Sequence, residues 1–284
     1  MNGKVVVITG GNSGIGKETA VGLAQRGARV VIAVRNQAKG AAALAEIRAR
    51  SGSDTVEMAS LDLASFASVR ACAQSLLAAH DRIDVLVNNA GIITRKRAVT
   101  DDGHETQFQV NHLSHFLFTA LLRDQIVKSA PARIVNVASG AHNSARKGLD
   151  FDDLESERRY QVAGFGPYGR TKLMNILFTR ELARGLDGTG VTANALHPGF
   201  VSSNFAREGD TGPLGNIAMV LGRPFALTPA KGAQTSIYLA SSPEVEGVSG
   251  QYFYKSALAK ESASAQDDEA AARLWQISEL LTTP

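Results

Sequence analysis

The chain has 284 residues, of which 44% are hydrophobic and 20% charged, and its net charge is +3 at pH 7. This length and apolar content suffice for a large buried core, so we expect a globular protein. The basic residues are scattered, with Arg95-Lys96-Arg97 as one solvated cluster, and this pattern excludes the basic stripe that nucleic-acid binding needs.

The single cysteine, Cys72, lies in a predicted helix. One cysteine excludes disulfides within the chain and favours a reducing compartment, so we interpret Cys72 as a packed thiol. No apolar run approaches the length of about 18 residues that a membrane span needs, and the first residues do not read as a signal peptide. We therefore expect a cytoplasmic protein without a membrane anchor.

Short β-branched runs alternate with longer helical patterns along the chain. Strands are predicted at 4–9, 29–34, 55–58, 83–87, 133–137, 191–196 and 251–254, and helices at 14–26, 36–50, 65–79, 105–127, 168–186, 229–240 and 267–281. This alternation predicts an α/β fold: one domain over 1–284, with a Rossmann-type, doubly wound parallel sheet of about seven strands and helices on both faces. The Gly/Pro-bearing segment 202–229 is interpreted as a substrate lid.

A glycine-rich turn follows the first predicted strand. It reads Thr9-Gly10-Gly11-Asn12-Ser13-Gly14-Ile15-Gly16, and a predicted helix begins within it. Glycines let the backbone turn tightly and approach a pyrophosphate, whose charge is held by the amides of the helix N-terminus. The turn therefore predicts dinucleotide binding, with contacts from Gly10, Asn12, Ser13, Gly14, Ile15 and Gly16.

The end of the second predicted strand indicates which dinucleotide is bound. An NAD-binding unit usually has an acid there for the ribose 2′-hydroxyl, whereas this chain reads Arg35-Asn36. The planar guanidinium of Arg35 matches the oxygens of a 2′-phosphate. The sequence favours NADP(H) over NAD(H); the alternative is a surface arginine at a strand end.

Polar and small residues follow the next three strands. Asp62-Leu63 follows the third strand, Asn89-Ala90-Gly91 the fourth, and Ser139 the fifth. Open α/β sheets bind ligands at the carboxyl ends of their strands, so these residues are predicted to contact the cofactor and, for Ser139, a substrate oxygen. Asn111 lies in a long apolar helix, where a buried amide needs hydrogen-bond partners.

A tyrosine and a lysine lie one helical turn apart, at Tyr168 and Lys172. They project from one helix face about 6 Å apart along the axis, and a nearby ammonium favours the phenolate. Tyr168 is therefore a candidate acid/base near neutral pH, the alternative being a solvated helical pair. His112 and His115 lack the spacing of a metal site, so we expect no metal and interpret both as packed or hydrogen-bonded histidines.

These motifs occur in an order that resembles the short-chain dehydrogenase/reductase family. The motifs are T-G-x-x-x-G-x-G at Thr9 to Gly16, N-N-A-G at Asn88 to Gly91, Asn111, Ser139, and Y-x-x-x-K at Tyr168 to Lys172. Within the family, 133–137, 149–154 and 175–182 are similar to the retinol dehydrogenase and WW-domain oxidoreductase branch. The resemblance covers nearly the whole chain and implies the doubly wound sheet.

The resemblance also implies a mechanism. Tyr168 exchanges a proton with the carbonyl or hydroxyl oxygen, Lys172 lowers its pKa and binds the nicotinamide ribose, and Ser139 hydrogen-bonds the substrate oxygen. Asn111 supports a water that leads protons to Lys172. The segment with Pro198, Gly199 and Val201 matches the family's segment beside the nicotinamide, and hydride transfer uses the B-face. Family members often form homodimers or homotetramers.

The sequence departs from the family pattern in three places. Twenty-eight residues separate Ser139 from Tyr168, so 141–166 is predicted to wall the substrate site. Thr171 replaces the serine that is common before the lysine, which keeps a hydroxyl. We also expect the N-terminal anchor of many membrane-bound retinol dehydrogenases to be absent, which disfavours a membrane-held lipid substrate.

The function predicted from the sequence is an NADP-dependent carbonyl reductase or alcohol dehydrogenase acting on a fairly apolar small molecule. An apolar substrate is favoured because four aromatic residues lie in segments expected to border the pocket: Phe165, Phe200, Phe205 and Phe225. They are equally compatible with closing the core under a loop. The alternative function is a redox-inactive NADP(H) sensor or scaffold. An esterase is disfavoured because the chain contains no G-x-S-x-G.

Overall fold

The computed structural model describes residues 1–158, 160, 164–201 and 226–283. In these ranges eight strands form one sheet, in the order β3-β2-β1-β4-β5-β6-β7-β8. The strands are β1 Val5–Thr9, β2 Arg29–Val34, β3 Val56–Ser60, β4 Val85–Asn88, β5 Ala132–Val137, β6 Val191–His197, β7 Tyr252–Tyr254 and β8 Ala257–Leu258. Strands β1 to β7 are parallel, and β8 is antiparallel to β7. The predicted doubly wound sheet is confirmed, although the count of seven strands missed the short edge strand β8.

Helices cover both faces of this sheet. They are α1 Gly14–Ala24, α2 Gln37–Ser51, α3 Phe66–Ala79, α4 Thr106–Phe108, a π-helix Gln109–Leu113, α5 Ser114–Lys128, α6 Phe165–Gly185, α7 Pro229–Ser241 and α8 Asp268–Thr282. Helix α6 begins three residues before the predicted start at Tyr168, and a π-helical turn interrupts the helix predicted over 105–127. The helix predicted over 267–281 corresponds to α8. Most of the predicted lid, 202–225, lies outside the described residues.

Both faces of the sheet are apolar because its central strands are buried from either side. Every residue of β1 is buried, and its side chains alternate between two core clusters. Val7 packs in the cluster beneath α3, α5 and α6, whereas Ile8 packs in the cluster beneath α1, α2 and α7. Each such buried side chain stabilises the fold by about 1.5–3 kcal/mol, so the strand ends are held on a rigid base.

A buried polar ladder attaches α6 to the centre of the sheet. The Asn88 side chain on β4 donates to Asn136 Oδ1 on β5 at 2.8 Å, and Asn136 Nδ2 donates to Thr179 Oγ1 on α6 at 2.9 Å. Buried amides are costly without partners, so this ladder favours one register of α6 over the strands. The same register places the first turns of α6 over the carboxyl end of β5.

Two neutral histidines lie inside the fold. His112 Nε2 donates to Ser278 Oγ on α8, 2.8 Å away, since the Ser278 hydroxyl itself donates to the Leu274 carbonyl. His115 Nε2 lies 3.0 Å from Thr9 Oγ1. Burial lowers the pKa of both imidazoles to about 3. The interpretation of both residues as hydrogen-bonded core histidines matches these contacts.

Acid should therefore destabilise the fold below about pH 6.5. The unfolded chain binds protons at these histidines in that range and the folded chain does not, so each one lowers the free energy of unfolding by up to about 1.4 kcal/mol per pH unit as pH falls. Urea titrations from about pH 6.5 to about pH 5 should show a shallower slope for His112→Phe than for the unsubstituted chain.

His104→Gln is the matched control. The hydrogen bond that His104 donates to Glu155 raises the pKa of His104, so the contribution of His104 to stability is present below the unfolded pKa and is lost as pH rises through the folded pKa. Because this contribution does not fall as pH decreases, the substitution should not make the acid slope shallower. Equal slopes for His112→Phe and the unsubstituted chain would show that His112 is not a buried neutral group.

Cys72 is buried on α3, and burial raises the pKa of its thiol to about 11. This agrees with its interpretation as a packed thiol, because the nucleophilic thiolate is scarce at neutral pH. Within the described ranges, no helix is both long enough and apolar enough to cross a membrane.

Candidate active site

The glycine turn lies at the carboxyl end of β1, next to β4, where the strand order of the sheet reverses. Gly10 and Gly14 have φ values of +68° and +53°, which side chains rarely adopt. A Cβ on Gly16 would lie 2.4 Å from the Gly10 carbonyl oxygen and 2.5 Å from Asn89 Nδ2. Glycine at position 16 therefore lets the start of helix α1 pack directly on the main chain of Gly10 and on the Asn89 side chain.

The N-terminus of α1 lacks a side-chain cap. Ser13 occupies the N-cap position without a side-chain hydrogen bond, whereas Asn36 and Ser65 cap α2 and α3. Exposed amides at a helix N-terminus attract an anion, and the neighbouring residues Asn12 and Ile15 belong to the same turn. A glycine turn followed by an uncapped helix N-terminus is an arrangement that can hold a pyrophosphate, and the predicted contacts with it stay a prediction.

The segment after β4 is fixed to the glycine turn through Thr9. Thr9 Oγ1 accepts hydrogen bonds from the main-chain N–H groups of Asn89 (2.9 Å) and Ala90 (3.0 Å), and Asn89 Nδ2 donates to the Thr9 carbonyl at 2.8 Å. The predicted cofactor residues Asn89, Ala90 and Gly91 thus lie beside Gly10, whose Cβ would meet Ala90 Cβ at 3.0 Å.

The predicted residues after β2 and β3 lie at the same edge of the sheet. Arg35 is exposed directly after β2, and the Gly10 N–H donates to the Ala33 carbonyl at 2.8 Å, which brings this strand end to the glycine turn. Asn36 caps α2 by accepting from the Lys39 N–H. Asp62 Oδ1 accepts from the Ala64 N–H at 2.9 Å, and the Leu63 carbonyl accepts from Ser114 Oγ at 2.6 Å.

Tyr168 meets Ser139 at the carboxyl end of β5. A side-chain hydrogen bond joins the two residues, and Ser139 Oγ also accepts from the Ala141 N–H at 3.1 Å. The next residue, Gly169, permits this approach: a Cβ there would lie 2.1 Å from Ser144 Oγ and 2.8 Å from the Ala141 carbonyl oxygen. The absent side chain lets α6 lie against the 3-10 helix Gly140–Ser144.

The pKa of Tyr168 departs from the sequence-based expectation. Burial raises the pKa of the phenol to about 12, and the hydrogen bond with Ser139 opposes this only in part. The net shift is therefore upward, so the expectation of a lowered Tyr168 pKa is wrong for this structure. The lysine is one turn away, as expected, but its Nζ lies 5.6 Å from the centroid of the Tyr168 ring. At neutral pH the phenol is protonated and able to donate.

Lys172 is 2% exposed, and its Nζ donates to the Val137 carbonyl on β5 at 3.0 Å. Burial lowers the pKa of the ammonium to about 8. The group is thus mostly protonated at neutral pH and close to a phenol, which excludes the alternative of a solvated helical pair.

Asn111 connects α6 with the segment after β4. Its side chain accepts from the Ile92 N–H at 2.7 Å, donates to the Ile92 carbonyl at 2.9 Å and donates to Thr171 Oγ1 at 3.1 Å. Thr171 Oγ1 in turn donates to the Tyr168 carbonyl at 2.9 Å. Asn111 therefore holds the first turns of α6 to the segment after β4. Its predicted support of a water stays a prediction.

The predicted wall over 141–166 is anchored where the structure describes it. Tyr160 Oη lies 2.5 Å from Thr94 Oγ1 and accepts from Gln107 Nε2 at 2.6 Å. Glu155 accepts from the Glu105 N–H at 2.6 Å and lies 2.8 Å from His104 Nδ1. The described part of this segment is therefore bonded to the residues around α4.

The segment after β6 lies at the carboxyl end of the strand that pairs with β5. Pro198 and Gly199 follow β6, Gly199 has a φ of +90°, and Val201 pairs with Leu227 in an isolated bridge. Phe165 and Phe200 are 53% and 57% exposed, so neither closes the core. Phe205 and Phe225 lie outside the described residues.

Some residues that shape the site were missed from the sequence. Gly169, the hydroxyl link through Thr171 and the amide of Asn175 act through tertiary contacts; in the orientation that satisfies its nitrogen, Asn175 donates to the Asn111 carbonyl at 2.9 Å. The sequence features that could have identified these residues are a glycine and polar side chains within a helix that was expected to pack on the sheet. Among the described residues, no group of three histidine, cysteine or carboxylate side chains is arranged to hold a metal ion.

The sequence is similar to that of a known protein family and to individual characterised proteins. A family model described as short chain dehydrogenase matches residues 4–149. Retinol dehydrogenase 14 of Homo sapiens is 46% identical over 99% of this chain and 87% of that protein. Retinol dehydrogenase 12 of Mus musculus is 47% identical over 97% of this chain and 85% of that protein.

Solved structures share the fold. An uncharacterised protein from Mycobacterium paratuberculosis aligns with a TM-score of 0.77 and 34% identity, over 99% of this chain and 94% of that chain. The NADP complex of Pseudomonas aeruginosa RhlG aligns at 0.70 and 28% identity, over 89% and 94%. The 3-ketoacyl-(acyl-carrier-protein) reductase of Brucella melitensis, in complex with NADH, aligns at 0.67 and 26% identity, over 89% and 96%.

Proposed function

Because this chain belongs to the short-chain dehydrogenase family, we propose that it is an NADP-dependent oxidoreductase with Tyr168 as its acid/base. It transfers a hydride between nicotinamide and the carbonyl or hydroxyl carbon of a fairly apolar small molecule. The observation that carries the proposal is the hydrogen bond between Ser139 and Tyr168, made at the sheet edge that also bears the glycine turn.

The residues of the chain divide the work. Ser139 and the Tyr168 hydroxyl hydrogen-bond the substrate oxygen and polarise its bond to carbon. In the reductive direction Tyr168 donates its proton to that oxygen, and the buried ammonium of Lys172 stabilises the phenolate that remains. The glycine turn, the N-terminus of α1 and the residues after β4 would hold the cofactor, which supplies the hydride when bound.

Arg35 supports the preference for NADP(H). It lies at the exposed end of β2 with no acidic residue beside it, and among the described contacts it has neither a hydrogen bond nor an ion pair. A guanidinium in this position suits a 2′-phosphate through two parallel hydrogen bonds. Solved relatives are bound to NADP in one case and to NADH in another, so the proposed preference for NADP(H) rests on Arg35.

Arg35→Ala should weaken NADPH binding about 10- to 100-fold and leave NADH binding nearly unchanged, because charge-assisted bonds contribute about 1.5–3 kcal/mol. Titration calorimetry with both nucleotides measures the difference. Arg29→Ala, at the opposite end of β2, is the control and should change neither affinity. Equal losses for both nucleotides upon Arg35→Ala would remove Arg35 from 2′-phosphate recognition.

Two observations support an apolar substrate. Phe165 and Phe200 present exposed rings where α6 begins and where β6 is followed by the next turn. The similar curated proteins are named as retinol dehydrogenases, and retinol is an alcohol on a long apolar chain. These two observations favour an apolar aldehyde or alcohol over a sugar as the substrate.

The alternative, a redox-inactive NADP(H) sensor or scaffold, requires none of the contacts around Tyr168. Assays of NADPH oxidation separate the two functions: each member of a panel of aldehydes, ketones and quinones is added to the protein with NADPH, and the loss of NADPH absorbance is recorded. We expect turnover with apolar carbonyl compounds. Tight NADPH binding with no turnover on any member of the panel would favour the scaffold.

A further inference from the structure

Two histidines outside the predicted site bracket the turn at Ser139-Gly140. His142 is fully buried, and its ring meets Tyr252 edge-on with centroids 5.2 Å apart. His197, the last residue of β6, stacks on Tyr254 with centroids 4.6 Å apart. The aromatic rings of β7 therefore hold both imidazoles in place.

His197 joins two turns with one ring nitrogen. Its Nδ1 accepts from the Gly140 N–H and from the Gly199 N–H, each at 3.1 Å. Because both partners are donors, Nδ1 carries no proton and the neutral ring bears its hydrogen on Nε2. The turn after β5 and the turn after β6 are thus fixed to each other through a side chain.

His142 holds the same turn from its other end. Its Nδ1 donates to the Ser139 carbonyl at 2.7 Å, and its Nε2 accepts from the Ser262 N–H at 3.3 Å. The main chain of Ser139 is therefore tied to the C-terminal part of the chain. His197 is the only one of these two histidines that also bonds the Pro198-Gly199 turn in the described contacts.

We propose that His197 is a positioning residue: its Nδ1 sets the spacing between the Ser139 turn and the Pro198-Gly199 turn. The proposal rests on the function proposed above, in which Ser139 binds the substrate oxygen and the second turn adjoins the nicotinamide. Gly140 fits this role because a Cβ there would lie 3.3 Å from the His197 ring. Small errors in such spacing cost rate, since reacting atoms must meet at near-contact distance.

Two substitutions distinguish the role of Nδ1 as a hydrogen-bond acceptor from the role of the His197 ring in stacking on Tyr254. His197→Asn keeps an oxygen acceptor close to the position of Nδ1, with two lone pairs for two N–H groups. His197→Phe keeps the ring that stacks on Tyr254 but removes the acceptor. In the full-length protein without nucleotide, hydrogen exchange of the Gly140 and Gly199 amides should accelerate about tenfold or more in His197→Phe and remain near the original rate in His197→Asn.

The kinetic prediction follows the same order. His197→Phe should lower kcat about tenfold or more, and His197→Asn should stay within about threefold of the original enzyme. Equal exchange rates in all three proteins would overturn the proposed link of the two turns through His197 Nδ1. An unchanged kcat in a His197→Phe enzyme with accelerated exchange would overturn the positioning role of His197.

The unsubstituted protein offers a further test that needs no variant. Nitrogen NMR of the histidine rings should show His197 with an unprotonated Nδ1 at neutral pH, and a protonated Nδ1 would contradict the proposal. Failure of the proposed function has a different signature: the unsubstituted protein reduces no carbonyl compound, although His197 keeps its unprotonated Nδ1 and both amides stay protected.

Discussion

Tyr168→Phe should lower kcat about 100- to 10,000-fold, because it removes the proton that the reduced oxygen must receive. The ring remains, so the packing of α6 on the turn at Ser139 is kept. The phenol is protonated at neutral pH, since burial raises its pKa to about 12. Steady-state reduction of an apolar aldehyde at saturating NADPH measures this loss.

Binding of NADPH separates a catalytic defect from a folding defect. Its affinity should change less than about threefold in Tyr168→Phe, since the glycine turn and Arg35 are untouched. Tyr238→Phe is the control for losing a tyrosine hydroxyl elsewhere in the fold, because Tyr238 lies on α7 and packs against Phe253. Full activity in Tyr168→Phe would remove Tyr168 from the mechanism.

Lys172→Met should be the next most damaging change, with kcat lower by about 100-fold. An ammonium whose Nζ lies 5.6 Å from the centroid of the phenol ring favours the phenolate that proton donation leaves. Methionine has nearly the same volume, so the loss is one of charge and of the bond to the Val137 carbonyl. The assay used for Tyr168→Phe measures it.

Stability provides the control for this variant. The folded pKa of Lys172, about 8, lies below its unfolded value, so its burial costs stability at neutral pH, and this cost declines as pH rises from the folded pKa to the unfolded pKa. Lys172→Met should therefore not lower the Tm at pH 7. Lys128→Met, at the exposed end of α5, should leave both Tm and kcat unchanged. A fully active Lys172→Met enzyme would contradict the electrostatic role.

The sheet was predictable because strands buried on both faces produce continuous β-branched runs, as Val5 to Ile8 show. Strand β8 was missed since two exposed residues carry no alternation. Helix α6 begins earlier than predicted because Pro167 is tolerated in a first helical turn, where its missing N–H has no intrahelical partner to lose.

The residues of the candidate site were easier to predict than their energetics. Spacing alone placed Tyr168 and Lys172 on one face of a helix. The direction of the Tyr168 pKa was missed because burial depends on neighbours from distant parts of the chain, including Ser139. The bonds from Gly140 and Gly199 to His197 depend on the pairing of β5 with β6, which no local pattern encodes.

The central claim is that the site of Tyr168 reduces a carbonyl compound with hydride from NADPH. It is tested most directly with NADPH carrying deuterium at the pro-S or the pro-R position of the nicotinamide, and mass spectrometry of the alcohol formed from an apolar aldehyde. Transfer from the B-face, which the family resemblance implies, predicts deuterium in the alcohol from the pro-S label and none from the pro-R label. An unlabelled alcohol from the pro-S label, or no alcohol from any aldehyde despite bound NADPH, would contradict the account.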